Sequence, residues 1–350
     1  MALPDAVLEA IHDLAGCLER LGQRLSEPAL EDAGVRQCGR RAVEAAARVR
    51  ELLNADEAEG LRYVETTGRS FSLEFTPFEV AVRLKAQVDA RPCAWIYTSA
   101  TLAVGEDFQH FTSRVGAEAA RTRLIPSPFD YVRQARLYMP KGLPDPSSSD
   151  YTGAVIEAAL PLVRAAGGRS FLLFTSHRAL TEGARRLREQ LLPEDGFPIL
   201  VQGDAPRDAL LRRFRELGNA VLLGTGSFWE GVDVRGPALS LVVIDKLPFA
   251  SPDDPLLKAR LAGLKRDGRN GFMEFQVPQA VLALKQGVGR LIRDPSDFGV
   301  VMLADPRLRS RGYGRTFLAS LPPMQLTDSA TEAAEFLIEH LGALAPTGTL

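Results

Sequence analysis

The sequence predicts an α/β protein, in which a mostly parallel sheet is covered by helices on both faces and preceded by a helical segment. Two observations predict it. From about residue 92 onward, short apolar runs of strand length alternate with amphipathic stretches of helical period. Before residue 55, apolar residues recur only at three- and four-residue steps.

Taken in order, Val7, Leu8, Ile11, Leu14, Leu18, Leu21 and Leu25 form one apolar helical stripe that Pro28 interrupts. A second helical run follows from Val43 to Leu53. LRYVET (61–66) and SFSLEF (70–75) are rich in alternating, β-branched and aromatic residues and predict strands. Pro77 is placed to open a helix that runs to about Val88. AWIYTS (94–99) predicts a short buried strand. Further strands are predicted at Ala135–Met139, Ser170–Phe174, Phe197–Val201, Ala220–Leu223, Leu239–Ile244 and Gly299–Leu303. Helices fall between them at Ala154–Ala165, Arg178–Leu191, Arg207–Leu217, Pro255–Leu264, Pro278–Arg293 and Tyr313–Ala319. An amphipathic helix near Ala330–Leu341 closes the pattern. The expected divisions are 1–60, 61–134 and 135–350. The middle piece is too short for a complete doubly wound domain and reads as the second half of one.

Composition narrows the function classes. With 45% hydrophobic residues in 350, there is material for large cores. The balance of 42 basic against 44 acidic residues excludes a wholesale polycation, so any nucleic-acid contact must be local. Cys17, Cys38 and Cys93 stand far apart, which excludes a CxxC-based zinc site or a four-cysteine cluster and suits a reducing cytoplasm. No apolar run approaches the roughly 18 residues of a membrane span, and no membrane partner is expected.

Polar clusters follow several predicted strands. Thr98, Ser99, Ala100 and Thr101 follow AWI; Thr175, Ser176 and His177 follow FLLF; Gly224, Thr225, Gly226 and Ser227 follow VLL. Small hydroxyl and glycine residues at such ends let backbone N–H groups and side-chain oxygens reach phosphates, and they also serve as ordinary helix caps. Trp229, Glu230, Gly231 and Asp233 continue the third cluster, with two carboxylates three apart suited to a ribose or an arginine. Gln286, Gly287, Gly289, Arg290 and Arg293 form the last. Two arginines three apart would share one helix face, bared by the glycines, and could stabilise a transferring phosphoryl group or simply lie exposed on a surface helix. His12, His110 and His340 read as caps or surface residues, His177 stands apart as a candidate beside the Phe174–Ser176 cluster, and Arg307, Arg309, Arg311 and Arg315 read as a solvated or DNA-holding basic face.

In this order TSATL (98–102), FTS (174–176), GTGSFWEGVDV (224–234) and QGVGRLIR (286–293) resemble motifs III to VI of superfamily 2 helicases. With IDKLPF (244–249) and DDPLLKAR (253–260), they most resemble the iron–sulfur helicases of the XPD and DinG type, nearest the bacterial YoaA-like group. The resemblance spans roughly residues 61–325. It implies a complete second RecA-like motor domain, preceded by part of the first and by the end of a helical arch insertion. It further implies an ATP-dependent DNA helicase moving 5′ to 3′ on single-stranded or forked DNA, in DNA repair or replication. Carried over by position, Arg290, Arg293 and Gln286 would face ATP as catalytic groups. Glu230, Gly231, Asp233, Gly287 and Gly289 would line the nucleotide. Ser176, Thr225, Ser227 and Trp229 would meet DNA, Trp229 either as a stacking platform or as core. Thr98, Ser99, Ala100 and Thr101 would couple the two sites.

The sequence departs from that family in one direction. It contains no GxxxxGK[ST] loop, no DEAH-type carboxylate pair and none of the four cluster cysteines, so ATP, Mg²⁺ and an iron–sulfur cluster would belong to the complete enzyme. The chain is expected to be a C-terminal half, inactive as an ATPase without an N-terminal motor half. The resemblance also suggests the clamp-loader chi subunit as a partner. The alternative is a non-catalytic module that binds DNA or the clamp loader.

Overall fold

The computed structural model describes residues 5–27, 32–56, 59–68, 70–191, 195–229 and 238–344. The chain forms two compact units.

The first lies within Met1–Arg91 and adds Arg114–Gly116 and Ser251–Gly271. Helices α1 (Asp5–Leu25) and α2 (Ala33–Asn54) pack antiparallel, with Arg50 bonded to Glu19 at 2.5 Å and Gly22 against Val43 and Gly39. Their seam is made of small residues, since Ala15, Gly22, Gly39, Ala42 and Ala46 are all buried. Asp32 caps α2 by accepting from the backbone N–H groups of Gly34 and Val35. Strands β1 (Gly60–Thr67) and β2 (Ser70–Pro77) pair as an antiparallel hairpin. Helix α3 (Ala81–Asp89) follows. Pro77 thus ends a strand instead of opening a helix, and the helix starts four residues later. Helix Pro255–Arg266, the tenth in the chain, packs on β1, and Arg260 bonds the carbonyl of Phe78.

The second unit takes Pro92–Ser113, Ala117–Ala250 and Phe272–Leu350. After the short helices α4 (Gln109–Val115) and α5 (Tyr131–Gln134) come β3 (Ala135–Tyr138), α6 (Tyr151–Ala165), β4 (Ser170–Leu173) and α7 (His177–Gln190). Then come β5 (Ile199–Val201), α8 (Arg207–Leu217), β6 (Val221–Gly224), α9 (Gly226–Trp229) and β7 (Leu241–Ile244). With the helix at Pro255–Arg266 counted as α10, the chain continues through a π-helix (Phe272–Gln276), α11 (Val277–Val288), β8 (Gly299–Leu303), α12 (Arg307–Ser310), α13 (Gly314–Ser320), β9 (Gln325–Thr327) and α14 (Ala330–Leu344). Seven strands form one parallel sheet in the order β5-β6-β4-β7-β8-β3-β9.

Strand period sorts the core into two layers. Phe171, Leu173, Leu222, Val242, Ile244, Val301 and Leu303 point to one face, where α8, α11 and α13 bury Phe214, Val281, Leu284 and Phe317 on them. Leu172, Val221, Leu223, Leu241, Val243, Val300 and Met302 point to the other, covered by Val155, Leu162, Leu187 and Leu337 of α6, α7 and α14. The predicted α/β class and its parallel sheet are therefore present, with β9 as an unforeseen edge strand.

The expected strand at 94–99 is absent. The segment carries no regular secondary structure and is exposed, with Ile96 at 83%. A parallel strand needs ladder partners, and no described strand lies beside this one.

Candidate nucleic-acid interface

Ligands of open parallel sheets bind beyond the carboxyl ends of the strands. Here a polar residue stands within two positions of five strand ends: Gln202 after β5, Thr225 after β6, Thr175 after β4, Asp245 after β7 and Asp305 after β8.

These residues are tied to one another and to the loops above them. Asp245, 2% exposed, accepts at Oδ1 from the backbone N–H groups of Thr175 (3.0 Å) and Lys246 (2.6 Å). Burial pushes its carboxyl up to about 7, against the opposing pull of the Lys246 backbone bond and ammonium. The Lys246 ammonium donates to the carbonyl of Pro146 at 2.5 Å and lies 4.8 Å over the Tyr151 ring. The Tyr151 hydroxyl donates to the carbonyls of Asp245 (2.6 Å) and Ala304 (3.1 Å). Burial, then the neighbouring Asp305 and Asp245 charges, raise its phenol above the usual range. Asp305 accepts from the Leu247 N–H (2.8 Å) and, at both oxygens, from Arg307.

This framework fixes a polar cavity of about 830 Å³. Ser147, Ser148, Ser149, Thr152, Ser176 and Thr181 line it with hydroxyls, and Arg178 and Lys246 with positive charge. Ser176 caps α7, its Oγ accepting from the Ala179 N–H at 3.2 Å, so the positive end of a 14-residue helix faces the same space. The one carboxylate in the wall, Glu182, is bonded by Arg185 and Arg186, which hold it at about 2. Hydroxyls, a helix N-terminus and cations together receive phosphate oxygens.

The other predicted residues are distributed as follows. Thr225 turns inward, 6% exposed, its N–H donating to Gln202 Oε1 at 2.6 Å and its hydroxyl at 3.1 Å from the same oxygen. Ser227 and Trp229 belong to α9, but their side chains lie outside the described residues, as do Glu230, Gly231 and Asp233 entirely. Thr98, Ser99, Ala100 and Leu102 line a second cavity, of about 650 Å³, together with Lys285 of α11. Thr101, half-buried, is bonded back to Ser99 Oγ through its N–H at 3.1 Å. Lys285 donates to the Ala103 carbonyl at 2.9 Å, and burial lowers its pKa. The structure thus brings the Thr98–Thr101 segment to the helix that carries Gln286, itself half-buried, and not to the hydroxyl cavity.

The arginines depart from expectation. Helix α11 ends at Val288, so Arg290 and Arg293 do not share a helix face. Gly289 closes the helix, its N–H donating to the Lys285 carbonyl at 2.9 Å, and Gly287 is buried. Arg290 follows in a turn and is 7% exposed. Arg293 is half-buried and its N–H donates to Asp297 Oδ2 at 2.8 Å. Two glycines within three residues each cost a helix about 1 kcal/mol against Ala, and the chain turns there toward β8 instead of extending a bared face.

Asp245, Lys246, Asp305, Tyr151 and Gln202 were not among the predicted site residues. The signal was present, a polar residue directly after a buried apolar run, but it is plainer in the hydroxyl and glycine clusters than in LVVIDK or VVMLADPR. Of the basic residues near the end, Arg307 is committed to Asp305, and Arg309 donates to the Met139 carbonyl.

Residues 159–324 match a family model described as a helicase C-terminal domain. The sequence is 45% identical over 335 residues to the ATP-dependent DNA helicase YoaA of Escherichia coli (strain K12), covering 96% of this chain and 50% of that protein. The chain is related in sequence to the YoaA and DinG helicases. It is also 46% identical to the YoaA helicase of Haemophilus influenzae (strain ATCC 51907 / DSM 11121 / KW20 / Rd), over 79% of this chain and 42% of that one. With the ATP-dependent helicase DinG of Mycobacterium tuberculosis (strain ATCC 25618 / H37Rv) it shares 40%, over 74% of this chain and 39% of the relative. Two solved structures described as XPD share its fold, with TM-scores of 0.53 and 0.56 at 17% identity; each covers 93% of this chain, which spans 56% and 63% of them. The seven-stranded unit is accordingly a RecA-like domain, and the chain spans about half the length of the curated relatives it matches.

The iron–sulfur cluster that the resemblance implies does not fit the residues present. Cys17, Cys38 and Cys93 are exposed and free, and no group of three or more His, Cys, Asp or Glu able to hold a metal occurs among the described residues. Nor does Mg²⁺-ATP find its lysine loop in this sequence. Among the described residues no helix is long and apolar enough to cross a membrane.

Proposed function

We propose that this chain is the DNA-gripping, C-terminal motor part of an ATP-dependent 5′–3′ DNA helicase. The observation that carries the reading is the polar carboxyl edge of the parallel sheet, where Ser176, Lys246, Arg178 and the Ser147–Ser149 loop surround one cavity. Its chemistry suits the phosphates of one strand, which position a nucleic acid without reading its sequence. Thr225 acts behind that edge by fixing Gln202.

In this reading Arg290, Arg293 and Gln286 meet a nucleotide carried by an N-terminal motor half, and Thr98–Thr101 with Lys285 transmit that contact. Chemistry on ATP requires Mg²⁺ and a cradle for the β- and γ-phosphates, which the partner half supplies. Alone, the chain binds single-stranded or forked DNA and does not turn over ATP. The direction of travel and the clamp-loader chi subunit as protein partner come from the family resemblance. In a complete helicase, Arg290→Ala is expected to lower ATP turnover by about 10³-fold or more while DNA affinity holds.

The test is phosphate release and DNA-binding anisotropy on the same preparation. Binding to single strands of any sequence, weakened by Lys246→Met, with no DNA-stimulated phosphate release, is the expected result. ATP turnover by the chain alone would overturn the division of labour. Sequence-restricted binding would overturn the phosphate grip.

A further inference from the structure

The chain leaves the sheet unit at Ala250 and rejoins it at Phe272. The rings on either side of that excursion, Phe249 and Phe272, stack on each other with centroids 5.4 Å apart and planes at 29°. Tyr313 meets both edge-on, at 5.8 Å from Phe249 and 5.4 Å from Phe272. Phe317, fully buried, anchors Phe249 from below at 5.8 Å. The Arg307 guanidinium, held by Asp305, lies 5.6 Å over the Phe249 ring.

An aromatic cluster of this kind is ordinarily core. Here its outer ring reaches solvent, Phe272 being 36% exposed. Phe272 also opens the π-helix, a geometry that is rare and concentrated at functional sites. The cluster is a rigid base of packed rings with one ring presented outward.

Its position says what covers it. Phe249 extends from the end of β7 and Arg307 from the end of β8, neighbours in the sheet, and β4, which bears Ser176, lies on the other side of β7. Lys246, which lines the hydroxyl cavity, stands three residues before Phe249 in one loop, and Asp305 holds that loop through the Leu247 N–H while its partner Arg307 lies over the Phe249 ring. The aromatic surface therefore continues the phosphate edge, with positive charge between the two. A duplex has its base faces already stacked, whereas a single strand offers them free.

We propose that Phe272, backed by Phe249 and Tyr313, is a stacking platform for an unpaired base of the strand whose phosphates occupy the hydroxyl cavity. The inference rests on the DNA-gripping reading above and adds a second, phosphate-independent contact to it.

The experiment compares wild type, Phe272→Ala and Phe272→Trp on two ligands, an oligothymidylate and an abasic deoxyribose-phosphate oligomer of equal length. Base stacking predicts that Phe272→Ala weakens oligothymidylate binding by roughly 5- to 100-fold. It leaves the abasic oligomer little changed, and Phe272→Trp restores the difference. Equal loss on both ligands, or no loss on either, would overturn the platform while leaving the phosphate grip standing. Failure of the wild type to bind either oligomer would remove the grip, and the platform with it. A probe of protein contact is included: if Phe272→Ala alters self-association in sedimentation and not oligothymidylate binding, the surface is a protein interface and the proposal fails.

Discussion

Asp245 joins the two walls of the cavity, and its carboxyl makes that junction sensitive to pH. Its pKa is 3.8 in an exposed setting and about 7 in the fold. A folded state with the raised pKa holds the proton more tightly than the unfolded chain, so this contribution to stability is complete below pH 4 and declines as pH rises toward 7. It is level above that range, and the whole decline is at most on the order of 4 kcal/mol. Asp245→Asn keeps an acceptor for Thr175 and Lys246 and removes the charge. Thermal melts across this range should show a fall in the wild type that the variant lacks; parallel curves would contradict the assignment. Tyr151→Phe removes the hydroxyl that donates to Asp245 and Ala304 in a buried setting. It should cost about 1–3 kcal/mol in denaturant unfolding, and a neutral result would show those carbonyls satisfied elsewhere. At this scale sequence is least informative. Ser176 stands where its cluster predicted, whereas the role of Asp245 depends on three chain segments meeting, which no local pattern contains.

Elements were more legible, and the departures have identifiable causes. The central strands β4, β6, β7 and β8 are short, fully buried apolar runs whose positions were legible in composition, whereas edge strand β9, with two of its three residues exposed, was not. AWIYTS has the composition of those central strands but no neighbouring strand, and so it carries no regular secondary structure and is exposed. The helix expected to reach Arg293 stops at Val288, where glycine's conformational cost overtakes the apolar period. In the α1–α2 pair the sequence showed a helical stripe but not the small-residue seam beneath it. A Cβ on Gly22 would lie 2.5 Å from Val43 Cγ2 and 3.0 Å from the Gly39 carbonyl. Gly22→Val should therefore destabilise this pair by about 1–3 kcal/mol, seen as an earlier loss of helical circular dichroism on heating. An unchanged melt would mean that the helices separate at no cost there.

For the molecule as a whole, four motifs in order made the helicase relationship legible in the sequence; FTS and GTGS follow strands β4 and β6, whereas TSATL lies in an exposed segment and QGVGRLIR at the end of α11. What they could not convey is how the polar ends combine. The structure puts Ser176 in a hydroxyl cavity at α7 and Thr98, Ser99 and Ala100 in a second cavity with Lys285, while Thr225, Gln286, Arg290 and Arg293 line neither. Single-stranded DNA is expected to lie along the first. Photo-cross-linking of a bromodeoxyuridine-substituted single strand, followed by peptide mapping, locates it. Adducts are expected in 145–152, 175–182 and 246–249, lost when an unlabelled strand competes. Adducts confined to the α1–α2 pair, with those three segments unmodified, would contradict it.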